Sequence, residues 1–228
     1  MTSRQIRFII PAAGHAVRFG GIPKELLPIS SVHCGLTYAI QLAQKLGRRS
    51  PVVISNPEKE AAHRAAIQLA GVDAELLVNP LDKCEMWDSV RLGLDTNVAG
   101  GLIMPDTIPQ IEYEIDTTAP ITFGCFQTHT PWNFSCLDIH QSNHPKILTK
   151  PQITRPMLAW GLVFWQEGVG SLLDTHSHFD KAFESIMQTE GYGWFLLKRY
   201  VDLGSFELYR DFISSPHARE LRRIENDD

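Results

Sequence analysis

The sequence predicts an α/β fold in which a central, mostly parallel mixed sheet is flanked by helices on both faces. Three observations lead there. Apolar runs of strand length alternate with helical periodicities through the first half of the chain, which favours parallel strands joined by right-handed crossovers. The first apolar run, Phe8 to Ile10, breaks at Pro11 into small residues and glycines that carry Arg18 and Lys24. The length of 228 residues, with 43% hydrophobic content and ordinary charge, suits one large domain over 1–228, with halves at about 1–106 and about 107–215.

The opening stretch, residues 8–29, reads as a buried strand feeding a phosphate-holding loop. Ala12, Ala13 and Gly14 have almost no side chain, so backbone N–H groups can approach a polyphosphate closely, and Arg18 and Lys24 supply positive charge. Other phosphate motifs fit badly. Gly14 and Gly20 are followed by no Lys-Ser/Thr pair, which excludes a Walker loop, and no G-x-G-x-x-G fingerprint occurs.

Downstream, Leu36, Ala39, Ile40, Ala43 and Leu46 recur at helical spacing, predicting a helix over 36–46 with Gly47 as its C-cap. Residues 51–55 read as a short buried strand, and Asn56-Pro57 as the start of a helix that Gly71 closes. Glu75 to Val78 form the next strand, followed by Asn79 and a helix beginning near Cys84 that contains Met86, Val90 and Leu94. Residues 101–106 form a buried strand ending in Asp106. In a parallel sheet that carboxylate lies beside the first loop, where Mg²⁺ bridging nucleotide phosphates needs a hard oxygen ligand.

Past Asp106 the pattern changes. Residues 120–128 and 157–165 are β-rich runs with no clear crossover helix between them, as expected of a mixed region. Near the C-terminus a strand ends in Asp202, Gly204-Ser205 follows, and a helix starts at Glu207 with Ser205 as a candidate N-cap. The last segment, 217–228, is a charged helix running into an acidic tail.

Composition narrows the function. A net charge of -5 argues against a general nucleic-acid binder, which needs a basic face to displace counterions. No apolar run approaches a membrane span or a signal peptide, so a cytoplasmic location without membrane association is expected. Four cysteines at wide, irregular spacing suggest reduced, packed thiols. Nine histidines, His176 and His178 among them, lack zinc-motif spacing and read as solvated loop residues.

The opening stretch resembles the signature of the sugar-phosphate nucleotidyltransferases, P-A-A-G-x-G-T-R followed by P-K-x-L-L-P. Pro11 to Gly14, Arg18 and Pro23-Lys24-Glu25-Leu26-Leu27-Pro28 match it, whereas Ala16 and Val17 stand where the family usually has glycine and a hydroxyl residue. Residues 87–94, WDSVRLGL, are similar to the serine-valine helix that cytidylyltransferases place under the base, which would make Ser89 a nucleotide contact. Asn79 stands nearest the base-contacting glutamine of the thymidylyltransferases, and His15 occupies a variable loop position from which it could donate to phosphate. Lys150-Pro151 resembles the family's E-K-P element with Thr149 in place of glutamate, and Asp202-Leu203-Gly204-Ser205 resembles its late D-x-G-T/S element. Pro105 replaces the glycine that usually precedes the first metal-binding aspartate.

The resemblance implies a Rossmann-like nucleotidyltransferase fold, with a nucleotide-binding first half and an acceptor-binding second half. It implies Mg²⁺-dependent transfer of a nucleoside monophosphate from a nucleoside triphosphate to a sugar 1-phosphate or similar phosphorylated acceptor, releasing pyrophosphate. Arg18 and Lys24 would be catalytic, and Ala12, Ala13, Gly14, His15, Asn79 and Ser89 would bind nucleotide. Lys150 would hold the acceptor, and Asp106 and Asp202 the metal. Family members commonly assemble, so a homo-oligomer is compatible. Two rivals stand beside this reading. A metal-dependent glycosyltransferase is demoted because no D-x-D pair occurs. A catalytically inactive nucleotide- or nucleotide-sugar-binding protein of the same fold is the alternative.

Overall fold

In a computed structural model, the described residues are 5–16, 19–80, 85–112, 115–139 and 145–224. The first half runs β1 (Ile6–Pro11), α1 (Gly35–Gly47), β2 (Val52–Ser55), α2 (Glu60–Leu69), β3 (Glu75–Val78), α3 (Met86–Gly93) and β4 (Ala99–Ile103). Then come β5 (Thr107–Gln110), β6 (Ile121–Thr128), β7 (Ser135–Asp138), β8 (Lys146–Thr149), β9 (Met157–Trp165), α4 (Val169–Asp174) and α5 (Phe179–Thr189). The chain finishes with β10 (Tyr192–Leu196), β11 (Arg199–Asp202), α6 (Phe206–Ile213) and α7 (Pro216–Ile224). The fold is mixed α/β, with a large central sheet, mostly parallel, flanked by helices. Its residues fall into two compact units that interleave in sequence. One contains Leu94–Leu102 and Pro109–Tyr200; the other contains Phe8–Gly93, Ile103–Ile108 and the residues from Val201 onward.

In the unit built on Phe8–Gly93, β1 pairs in parallel with β2, and β2 with β3, in a register that aligns Pro11 with Ile54 and Ser55 with Val78. The three strands therefore end together, and the segments after them emerge along one carboxyl edge, where open α/β sheets bind ligands. Apolar runs without alternation suit such strands, since helices cover them; Phe8, Ile9, Ile10, Val52, Val53 and Ile54 are all buried. Helix α3 lies close on β1 and β2 because residue 93 is glycine: a Cβ there would come within 3.1 Å of both Ile9 and Val52 side chains. A second cluster, Ile29, Ile108, Leu203, Phe212 and Ala218, ties α6 and α7 to this unit.

The other unit is built from antiparallel β6 and β9, with β10 parallel to β6, and with β7 pairing β8 and β9. The change of character past Asp106 is thus the change from parallel to mixed pairing. Its core is aromatic: Phe183 of α5 meets Phe123, Trp160 and Phe179 edge-on with ring centroids 5.8 to 6.0 Å apart. Asp180 on the same helix is buried and accepts hydrogen bonds from the hydroxyls of Ser135 and Thr149. Burial raises its pKa, and the two hydroxyls only partly offset that.

Several predicted boundaries shift for identifiable reasons. Helix α1 runs through Gly47, and Arg48 takes the left-handed cap at φ 53°, donating its N–H to Gln44. Helix α2 starts at Glu60, not at Asn56-Pro57, because the Asn56 side chain stabilises a turn by accepting the Lys59 N–H at 2.9 Å. Strand β4 stops at Ile103, leaving Asp106 in the turn before β5; Pro105 has no N–H with which to extend a ladder. The run expected to be one strand ending at Asp202 divides into β10 and β11. The division falls where the Leu197 N–H still bonds Cys125 but the Lys198 N–H turns to Gln110.

Phe183 is fully buried, so truncating it to alanine should cost about 3–5 kcal/mol, the usual range for removing a core aromatic ring. Urea denaturation of the Phe183→Ala variant measures it; a loss under 1 kcal/mol would contradict the packing described.

Candidate active site

The loop after β1 is shaped from behind. The Ala12 N–H donates to Ile54 at 2.8 Å, continuing the β1–β2 ladder by one residue. The next two carbonyls are then held by side chains from the turn after β2. Lys59 Nζ donates to the Ala12 carbonyl at 2.7 Å, and Asn56 Nδ2 to that of Ala13 at 2.8 Å. Among the described residues, no protein acceptor takes the N–H of Ala13 or Gly14. A backbone whose carbonyls are occupied and whose N–H groups are not is suited to an anion.

Farther along, Ala16 adopts φ 50°, the left-handed conformation that glycine enters freely and alanine does not. The backbone thus holds this form at the cost of strain. Phe19 and Gly21 donate their N–H groups to the Ala16 carbonyl, closing the loop. Phe19 is then buried against Phe206 at the start of α6, with ring centroids 4.3 Å apart. Arg18 and Val17 lie outside the described residues.

Lys24 and Glu25 open a single 3₁₀ turn, Lys24–Leu26, and their side chains go to different partners. Lys24 pairs with Asp106 through Oδ2. Glu25 is 2% exposed and receives Lys59 Nζ at 2.5 Å and His63 Nε2 at 2.9 Å, both on Oε1. His63 is completely buried, and its Nδ1 lies 2.8 Å from Ser55 Oγ. Burial opposes ionisation of Glu25, but the His63 hydrogen bond and the Lys59 ammonium together outweigh it and hold the carboxyl below its ordinary value.

These groups surround a pocket lined by Pro11 to Gly14, Lys24, Glu25, Lys59, Glu85, Met86, Ser89 and Met104 to Asp106. All of them belong to one compact unit. Five predicted site residues are therefore brought together with Lys24: Ala12, Ala13, Gly14, Ser89 and Asp106. Ser89 is in the first half of α3, and Asn79, buried at the end of β3, donates to its hydroxyl at 3.4 Å. Asp202 comes near Asp106 through the backbone, since the Leu203 N–H donates to the Asp106 carbonyl at 2.9 Å. Its own Oδ1 accepts the Gly204 N–H at 2.7 Å, and Ser205 caps α6 through the Leu208 N–H, so the N-cap reading holds. Gly35 permits a close approach at the other side: a Cβ there would lie 2.4 Å from the Pro105 carbonyl.

His15 is exposed in the loop. Lys150 belongs to the other unit, exposed at the end of β8 with φ 47°, its N–H held by the Phe134 carbonyl. Sequence reasoning missed Lys59 and His63 and gave Glu25 no role. A weak signal existed: Lys59 and His63 are four residues apart, so they share one face of a helical start. Nothing in the sequence says that this face turns inward.

Two outcomes follow. Because the folded-state pKa of Glu25 is lowered, its contribution to stability is fully present above the ordinary carboxylate value of 4.5 and is lost as pH falls below it. Glu25→Gln should cost about 3 kcal/mol at neutral pH, with the gap to wild type narrowing under acid in parallel denaturation series; a constant gap contradicts this. Ala16→Gly should relieve the left-handed strain and raise stability by about 0.5–1 kcal/mol after the entropy of an added glycine is subtracted, read from denaturant midpoints.

No family model matches the chain, and no curated protein does. Solved structures do. A protein from Bacillus anthracis assigned as a glucose-1-phosphate thymidylyltransferase superposes with TM-score 0.76 at 16% identity, covering 96% of this chain and 95% of that one. UTP-bound UGPase from Acinetobacter baumannii gives 0.71 at 14%, covering 96% and 98%. Inositol-1-phosphate CTP transferase from T. maritima gives 0.69 at 15%, covering 94% and 99%. At these identities the likeness is one of fold: the chain has the architecture of the sugar-phosphate nucleotidyltransferases along nearly its whole length.

Proposed function

We propose that this protein is a nucleotidyltransferase that moves a nucleoside monophosphate from a nucleoside triphosphate to a sugar 1-phosphate or a similar phosphorylated acceptor. The carrying observation is the pocket at the ends of β1 and β2, where loop N–H groups without a protein partner among the described residues, Lys24 and Asp106 converge. The neighbours' own assignments lend support, one being UTP-bound and another a CTP transferase for inositol 1-phosphate.

An acceptor phosphate oxygen attacking the α-phosphate in line is already anionic, so the reaction needs no general base. Positioning and charge stabilisation carry it instead. In this reading the Ala13 and Gly14 N–H groups cradle the polyphosphate, and Lys24 neutralises charge that builds on the phosphoryl group as the bond to pyrophosphate breaks. Arg18 steadies the departing pyrophosphate, and His15 donates at the loop margin. Asn79 and Ser89 form a polar pair for the base or ribose, and Lys150 grips the acceptor phosphate.

Asp106 and Asp202 would suit Mg²⁺ as hard oxygen donors, and the Asp106 carboxylate already pairs with a cationic group, the Lys24 ammonium. A bound Mg²⁺ would supply charge neutralisation at the phosphates.

The test is to incubate the protein with Mg²⁺, each common nucleoside triphosphate and a panel of sugar phosphates, and to follow pyrophosphate. Release with at least one pair is expected, and Lys24→Ala should lower turnover by on the order of 10²-fold or more. Undiminished turnover in that variant removes Lys24 from the chemistry. Silence across the panel with retained nucleotide binding would favour the binding-only alternative.

A further inference from the structure

We propose that Lys59 is a second phosphate-binding cation of this pocket, held for that purpose by Glu25 and His63. The inference rests on the reading of the pocket as a polyphosphate site and adds a ligand contact outside the opening loop. Lys59 lines the pocket with Ala12 to Gly14 and Lys24, although its side chain is only 8% exposed. An ammonium has three protons to donate. Two go to the Ala12 carbonyl at 2.7 Å and to Glu25 Oε1 at 2.5 Å. Among the described residues no protein acceptor takes the third.

The geometry around that ammonium distinguishes a ligand donor from a simple strut. Bridging a carbonyl and a carboxylate requires two donated hydrogen bonds, and the neighbouring Asn56 amide holds the Ala13 carbonyl without any charge. Burying an ion pair costs several kcal/mol of solvation that a neutral linkage avoids. What a lysine adds at this place is a charged donor with a third proton beside the loop. Glu25 holds that donor in place, and His63 Nε2 lies 2.9 Å from the same carboxylate oxygen. The two partners on Glu25 fix its position, and Glu25 in turn fixes the ammonium against the back of the Ala12 peptide. A phosphate oxygen entering the pocket then meets the Ala13 and Gly14 N–H groups on the loop and the remaining Lys59 proton beside them. Charge is distributed accordingly: Lys24 is paired with Asp106 and Lys59 with Glu25, so each cation is preorganised before a ligand arrives.

The experiment uses the full chain and isothermal titration with inorganic tripolyphosphate and, separately, each common nucleoside triphosphate and the matching monophosphate, with Mg²⁺ omitted. Lys59→Gln should weaken tripolyphosphate and triphosphate binding at least tenfold, with a smaller loss for the monophosphate, and Lys59→Arg should recover most of it. Glu25→Gln is the discriminating variant and remains informative where Lys59→Gln does not fold. Its amide oxygen still accepts from the ammonium and keeps it in place while the counter-charge is gone, so triphosphate binding should tighten several-fold even though the fold is less stable. A structural strut would instead make Lys59→Gln and Glu25→Gln weaken binding together. Weaker binding by Glu25→Gln, or wild-type affinity in Lys59→Gln, overturns the proposal while leaving the pocket reading intact. Wild type that binds neither tripolyphosphate nor any triphosphate overturns both.

Discussion

The peptide groups of Ala12 and Ala13 have their carbonyls bound by Lys59 and Asn56, and the rest of the site depends on that constraint. A loop of small residues has no side chains with which to hold itself in one conformation, and the entropy of such a chain favours many. Here the restraint comes from the next loop along the same sheet edge, through a charged and a neutral donor. Glu25 makes the charged donor tolerable in the interior, and His63 makes Glu25 tolerable. Removing any one member leaves a buried group without its partner, so the network acts as a unit.

Adjacent residues in one 3₁₀ turn thereby serve opposite purposes. Lys24 goes to Asp106 and stays partly accessible, while Glu25 goes to the buried cluster. The same short segment, residues 23–28, supplies both a pocket-lining cation and the acidic anchor for the back of the loop. Tyr209 then fixes its end by donating to the Pro28 carbonyl at 2.7 Å. At the far side, Phe19 on Phe206 joins the loop to the helix that follows Asp202. Loop, Lys24 turn and Asp202 element are thus fastened to one another by packing as well as by charge.

The departures from the usual signature acquire physical meaning in this frame. Ala16 holds a left-handed backbone that glycine enters freely. Pro105 ends β4 early and puts its carbonyl against Gly35, where any larger residue would collide. Asp106 is consequently presented from a turn braced by α1, with its carbonyl also bound by Leu203.

Much was legible without coordinates. Strand–helix alternation fixed the fold class, because the two periodicities are local properties of the chain. The small-residue loop with Lys24 could be picked out because small residues beside a cation suit an anion, and the late Asp-x-Gly-Ser element by its resemblance to a family signature. The Lys59–Glu25–His63 cluster could not, because Glu25 lies 34 and 38 residues from Lys59 and His63 in sequence. Only the parallel register of β1 with β2, which ends both strands at the same level, turns the helix start at Lys59 inward. The sequence by itself determined which groups were available to hold a phosphate; the tertiary structure decided which of them are held rigid, because burial and pairing depend on neighbours that are distant along the chain.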